Sequence, residues 1–266
     1  MAKLLGVRGS NPARLFGDGG LKVIDPRRTA AGSDADAAVG RLTDPSPEVA
    51  SIIHQYVFNE SLAGRWQYVT RIWMTQTNAA SAYTCLKSGS TATPSAALSW
   101  AQATGVLVDG ASEVDLNYDA ALDYADASEL CIGSSASSVP AGTPASPSIF
   151  FISSAAGVGA LALSYSSGDV IGAIGGASAV ISPLPGSPQP RRVNRLDVDP
   201  ATGYARMRID SNSSLSTYPP FALSVPDISL LPSLQNWRLT YFAGAEMDWE
   251  GFRDNTQSAI SALGAL

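Results

Sequence analysis

Between Ser46 and Leu62 the chain reads S-P-E-V-A-S-I-I-H-Q-Y-V-F-N-E-S-L, with apolar residues at Val49, Ile52, Ile53, Tyr56 and Val57. That spacing lines one side of a helix. Ser46 suits the N-cap and Pro47 the first helical position, so a short helix is predicted over about 47–57. From Trp66 the pattern changes. W-Q-Y-V-T-R-I-W-M-T-Q is rich in aromatic and β-branched residues, and A-Y-T-C-L-K-S, A-A-L-S-W-A-Q and G-V-L-V-D-G follow at short intervals. Such runs between Gly, Ser and Pro read as strands. Later come S-I-F-F-I-S-S, A-L-A-L-S-Y-S and D-V-I-G-A-I-G-G-A-S-A-V-I. In R-L-D-V-D-P-A-T-G-Y-A-R-M-R-I-D, Leu196 and Val198 alternate with polar residues, D-P-A-T-G turns, and Met207 and Ile209 alternate on the return. That is a hairpin. Many short strands with frequent turn signals predict an all-β, antiparallel β-sandwich or jelly roll with short peripheral helices.

Residues 1–47 lack this order. Gly, Pro, Asp and Arg recur in F-G-D-G-G and I-D-P-R-R-T, and apolar residues are scattered. They read as an extended N-terminal arm, ordered only against something that holds it, in front of a sandwich domain over 48–266. S-S-A-S-S-V-P-A-G-T-P-A-S-P at 134–147 and S-P-L-P-G-S-P-Q-P-R-R at 182–192 read as long loops within that domain. No repeat of fixed period is visible. The apolar run from Ile149 to Ile181 holds one charge, Asp169, but Gly and Ser interrupt it. It reads as buried strands rather than a membrane span.

Charge narrows the partners. Net charge is −6 and charged residues make up 15% of the chain, below the usual quarter. No basic patch marks a nucleic-acid binder. The leader leans basic and the body acidic, with no Lys or Arg between Lys87 and Arg191. The leader therefore suits either an acidic partner or solvent. The start, M-A-K-L-L-G-V-R-G-S-N-P, lacks the apolar core of a secretory signal. Cys85 and Cys131 are the two cysteines and His54 the one histidine. This set is too small for a zinc site, and no cofactor is implied. The cysteines read as buried thiols, and could be bridged only with Cα atoms within about 7 Å. His54 reads as a surface residue of the first helix.

Two acidic segments are candidate sites. In E-V-D-L-N-Y-D-A-A-L-D-Y-A-D, residues Asp115, Asn117, Asp119 and Asp126 take positions one, three, five and twelve of a calcium loop. Ala120 replaces the glycine of position six, and the alternative is an exposed acidic face with Leu116, Tyr118 and Leu122 buried. The second segment is Y-F-A-G-A-E-M-D-W-E-G-F, from Tyr241 to Phe252. Read as a strand, it puts Met247 and Trp249 on one side and Glu246, Asp248 and Glu250 on the other, about 6.5–7 Å apart. A retaining glycosidase holds two carboxyls about 5–5.5 Å apart, so this row is either a catalytic set or the wet face of a final strand.

The E-x-D-x-E spacing resembles the active-site strand of the laminarinase and lichenase family, which has a concanavalin-like jelly roll. That resemblance implies Glu246 as nucleophile, Asp248 as its helper and Glu250 as acid/base. The tail W-R-L-T-Y-F-A-G-A-E-M-D-W-E-G-F-R-D-N-T-Q-S-A-I-S-A-L also resembles the ending of laminin-G-like, concanavalin-type sandwiches. There F-x-G (Phe242 to Gly244), an alternating strand (Glu246 to Phe252) and a short helix (Ser258 to Leu263) close the domain. The segment Y-V-T-R-I-W-M-T-Q-T-N-A-A-S-A-Y-T-C-L-K-S-G resembles their opening strand pair. This second resemblance implies the fold, puts Met247 and Trp249 in the core, and makes the acids a solvent face.

An irregular arm, an Ala/Ser/Gly-rich sandwich and a missing catalytic set resemble, in texture, a structural protein of a tailed bacteriophage virion. That implies a non-enzymatic decoration, tail or fibre-adaptor protein whose arm orders against other virion proteins. It also implies a cyclic homo-oligomer, with a trimer the natural form. A lectin-like carbohydrate-binding module that takes a host glycan is the second expectation. A glycoside hydrolase using Glu246, Asp248 and Glu250 is the third.

Overall fold

The structure is a computed structural model describing residues 13–17, 20–109, 111–118, 130–136, 148–153, 161–166, 169–174, 193–199, 204–209, 212–217, 227–230, 235–244 and 246–266. Its strands form antiparallel sheets, as expected for the jelly-roll sandwich class. A first hairpin pairs β1 (Ala13–Gly17) with β2 (Gly20–Ile24). Among the described residues it stands as a two-stranded sheet of its own. A six-stranded sheet runs β11 (Asp169–Ile174), β10 (Leu161–Ser166), β9 (Ser148–Ser153), β15 (Asp227–Leu230), β7 (Val114–Asp115), β4 (Thr93–Pro94). Where it is described, the apolar run from Ile149 forms strands β9, β10 and β11, and among the described residues no helix is long and apolar enough to cross a membrane.

The larger sheet runs β14 (Asn212–Thr217), β13 (Tyr204–Ile209), β12 (Asn194–Asp199), β8 (Leu130–Ala136), β16 (Gln235–Gly244), β6 (Gly105–Val108), β5 (Ser99–Ala101). Strand β3 (Val69–Met74) also pairs with β16. The hairpin read from the sequence is β12–β13, with Leu196 opposite Met207.

Strand β16 is the centre of the molecule, and its residues Trp237–Ala243 are buried on both faces. On one face of β16, Tyr118, just past β7, stacks on Phe242 with ring centroids 4.1 Å apart, and Trp73 of the adjacent β3 meets it edge-on at 6.2 Å. Leu239, Tyr241 and Ala243 face the other way, with Ile72 and Met74 beside them, into a layer of helices. Each fully buried side chain of this size contributes roughly 1.5–3 kcal/mol. A register shift between Trp237 and Leu239 marks an extra residue. It keeps Trp237 and Thr240 together, the indole N–H donating to the Thr240 hydroxyl at 2.8 Å. It also turns Arg238 onto the helix layer, where its Nη2 donates to the Ile260 carbonyl at 3.3 Å.

The helix layer departs from expectation in two places. The leader is not irregular throughout. Helix α1 spans Pro26–Gly40 and buries Ala31, Ala35 and Ala38. The Asp25 carboxylate accepts from Arg27 N, and Pro26 opens the helix. It packs on α2 (Pro47–Leu62), the predicted helix carried further, which is N-capped by Ser46. Residues 1–12 lie outside the described residues. At the other end, 246–252 is not a strand. After β16 the chain turns, and helix α3 runs Trp249–Gly264, so the short helix expected at 258–263 is its second half. Trp249, Phe252, Thr256, Ala259, Ile260 and Leu263 are buried at intervals of three and four. That helical face against Tyr241 and α2 outweighs the two-residue alternation of the preceding acids.

Candidate functional site

The acid row is held by two arginines. Arg65 follows the end of α2, and its Nε and Nη2 donate to both oxygens of Glu60 at 2.8 and 2.9 Å. Its Nη1 donates to Asp248 Oδ2 at 3.2 Å. The Glu60 side chain is fully buried, and Asn255 of α3 donates to its Oε1 at 2.6 Å. On the other side Arg195 of β12, itself buried, donates to the Met247 carbonyl at 3.0 Å and to Asp197. Glu246, Asp248 and Glu250 are exposed, while Met247 and Trp249 are buried. The division between wet and core residues is therefore as the laminin-G-like resemblance implied, although a turn and a helix start produce it. Asp248 is the N-cap residue and Glu250 lies in the first turn. A carboxylate there is favoured by the helix dipole. The geometry brings this segment an anchor and a favourable charge at a helix end.

The calcium-loop candidate divides. Asp119 and Asp126 lie outside the described residues. Asp115 and Asn117 form a turn in which Asn117, at φ +48°, donates its N–H to Asp115 Oδ1 at 2.7 Å. The Asn117 amide donates to the Thr91 carbonyl at 2.6 Å and the Thr93 hydroxyl at 2.9 Å. These groups stitch β7 to β4, while Leu116 and Tyr118 are buried. Among the described residues no group of three or more His, Cys, Asp or Glu could hold a metal ion.

Cys85 and Cys131 are buried free thiols. Burial pushes the Cys131 thiol up to about 12, so it stays protonated at neutral pH. His54 lies part-exposed on α2, 3.3 Å from Asp36 and stacked on Phe58.

One feature of the sandwich rim went unread in the sequence. Four of the five tryptophans are buried, but Trp100 on the edge strand β5 is partly exposed. Its neighbours across the sheet are Val106 and then Trp237. Its indole N–H donates to the Thr75 carbonyl at 2.6 Å, and the Thr75 hydroxyl donates to the Trp237 carbonyl. Tyr83, also partly exposed, packs on Trp237 at 6.3 Å.

No protein-family model and no curated protein matches the sequence. Solved structures do resemble the fold. A mutant of Trypanosoma rangeli sialidase displaying trans-sialidase activity aligns at a TM-score of 0.52 and 12% identity, over 94% of this chain and 42% of that one. Botulinum neurotoxin type C, in a structure concerned with its interaction with two ganglioside molecules, aligns at 0.49 and 9%, over 76% and 53%. Domain 4 of an extracellular arabinanase from Geobacillus stearothermophilus, in complex with arabinotriose, aligns at 0.45 and 12%, over 74% and 98%. The chain thus spans less than two thirds of the first two proteins. At these identities the likeness is one of fold.

Proposed function

We propose that this chain is a non-catalytic, lectin-like carbohydrate-binding module. The observation that supports it is the use made of the acids at 246–250. Asp248 is bound to Arg65, Glu250 sits in the first turn of α3, and the backbone just before Asp248 is anchored at the Met247 carbonyl by Arg195. A hydrolase of this class needs two carboxyls facing one bond; here one acid is held by Arg65 and another opens a helix, which favours the non-catalytic reading. What remains is a sandwich that displays a surface. The ligand class comes from fold analogy: the sialidase and the arabinanase domain that resemble it are proteins of sugars by their descriptions. The test is calorimetric titration of the full chain with a panel of oligosaccharides, alongside a hydrolysis assay on the same sugars. Binding without hydrolysis supports the reading. Hydrolysis that Glu246→Gln or Glu250→Gln abolishes would reinstate the glycosidase.

A second proposal, a homo-oligomeric structural component of a virion, is favoured by the β1–β2 hairpin. A lone two-stranded hairpin is marginally stable in water, and among the described residues this one joins no other sheet. Light scattering on the full chain and on a chain lacking residues 1–24 tests it. The cut falls at 24 because removing residues 1–47 would take Ala31, Ala35, Ala38 and Leu42 out of the core. Monomers in both cases would end the assembly reading.

A further inference from the structure

We infer that Trp100 and Tyr83, braced on Trp237 at the rim of the larger sheet, form a stacking platform for one ring of a neutral saccharide. This rests on the carbohydrate-binding reading and gives it an address.

Three observations carry the inference. The first is placement. Trp100, Val106 and Trp237 are successive cross-strand partners, so their side chains share one face of the sheet, with Trp100 outermost. Its neighbours along β5, Ser99 and Ala101, are exposed. Tyr and Trp serve where one end of a side chain is apolar and the other wet, and this row ends in water with an indole.

The second is preorganisation. The hydrogen bond to the Thr75 carbonyl fixes the indole, and the Thr75 hydroxyl is fixed in turn on the Trp237 carbonyl. Tyr83 braces the same buried ring at an interplanar angle of 51°. A ligand landing here does not have to order these rings, which removes the side-chain share of the entropic cost of binding.

The third is charge. From Thr75 to Val108 the one ionisable group besides the phenol and thiol is Lys87. Its Nζ donates to the Trp66 carbonyl at 2.9 Å and lies over the Trp66 ring. Arg238, adjacent to Trp237 in the chain, is turned to the helix layer, on Gln76 and the Ile260 carbonyl. Along this stretch of described residues the platform offers π faces and neutral polar groups, with Lys87 and Arg238 engaged elsewhere. It suits the C–H face of an uncharged pyranose or furanose better than an anionic sugar.

The test uses the full chain. Cellotetraose, laminaritetraose and arabinotetraose are titrated by calorimetry, with 3′-sialyllactose as the anionic probe. In parallel, N-bromosuccinimide oxidation of the wild type is mapped by mass spectrometry with and without each sugar. The expected result is that at least one neutral sugar binds. Trp100→Ala should then weaken it tenfold or more and Tyr83→Ala several-fold, both at unchanged circular dichroism. Trp100 should be the first indole oxidised, and the bound sugar should protect it. Should Trp100→Ala fail to fold, wild-type protection and Tyr83→Ala decide. Undiminished binding in the folded variants, with Trp100 unprotected, would overturn the platform and leave the lectin reading standing. Binding of sialyllactose alone would overturn the neutral ligand. Binding of none of these sugars would overturn both readings.

Discussion

Gly105 offers a sharp test of how β6 meets β16. Its φ is +80°, and a Cβ added there would fall within 3.0 Å of both the Trp237 carbonyl oxygen and the Thr75 hydroxyl oxygen. Gly105→Ala therefore carries two penalties. An L-residue in the left-handed region costs about 1–2 kcal/mol. Relieving the contact with a backbone oxygen means opening the β6–β16 pairing beside Val106 and Trp237, and losing about two ladder hydrogen bonds costs roughly 1 kcal/mol each. The sum is about 3–4 kcal/mol, a large part of the roughly 5–15 kcal/mol that holds a domain folded. At a urea slope of about 3 kcal/mol/M this lowers the unfolding midpoint by about 1 M. Gly32, inside α1, is the control. A Cβ there has nothing within 4 Å, so Gly32→Ala should stabilise by about 0.5–1 kcal/mol. Urea unfolding followed by tryptophan fluorescence measures both. A loss below about 1 kcal/mol at Gly105, or a loss at Gly32, would refute the described packing.

Arg65→Ala leaves the buried Glu60 carboxylate with Asn255 as its remaining side-chain donor, and should cost about 3–5 kcal/mol in the same assay. Glu246→Gln and Glu250→Gln change exposed groups and should stay within about 0.5 kcal/mol of wild type. Ellman's reagent should find no thiol in the folded protein and both in urea, because Cys85 and Cys131 are buried. The raised Cys131 thiol gives an alkaline signature. Above about pH 9 the unfolded chain loses this proton and the folded chain keeps it until about 12, so folding binds a proton. Stability should fall by about 1.4 kcal/mol per pH unit over that window, with the buried Tyr56 and Tyr241 adding to the fall higher up because burial raises their phenols too. Stability against pH from 8 to 11 should be flatter in Cys131→Ala, and an equal slope in both would refute this.

Strand texture was the most legible part of the sequence. Runs such as S-I-F-F-I-S and R-L-D-V-D appear as β9 and β12 because β-branched and aromatic residues between turn signals have few other uses. Helix α1 was hidden because its buried face is Ala31, Ala35 and Ala38. Alanine contributes little hydrophobic contrast, so the period is faint, although Asp25-Pro26 was a readable start signal. Helix α3 was hidden differently. Met247 and Trp249 between three acids mimic a strand over five residues, while the spacing of Trp249, Phe252, Thr256 and Ile260 shows only over a longer window. The anchoring of this segment rests on Arg65 and Arg195, which lie far off in sequence, so no local pattern could show it. The Trp100 rim was invisible for a related reason. A lone Trp in A-L-S-W-A reads as core until the sheet order makes its strand an edge.

The position of β16 has a consequence for biogenesis. The strand that joins β3, β6 and β8 begins at Gln235, and the helix that seats Tyr56 through Thr256 comes later still. A ribosome that has released residues 1–234 has exposed every described strand of the larger sheet but its organiser. Helices α1 and α2 can pair early, yet their shared face has no floor. Folding of this unit is therefore deferred until its last strand and helix emerge. Until then the nascent chain displays unpaired strand edges, the state most open to aggregation and chaperone capture.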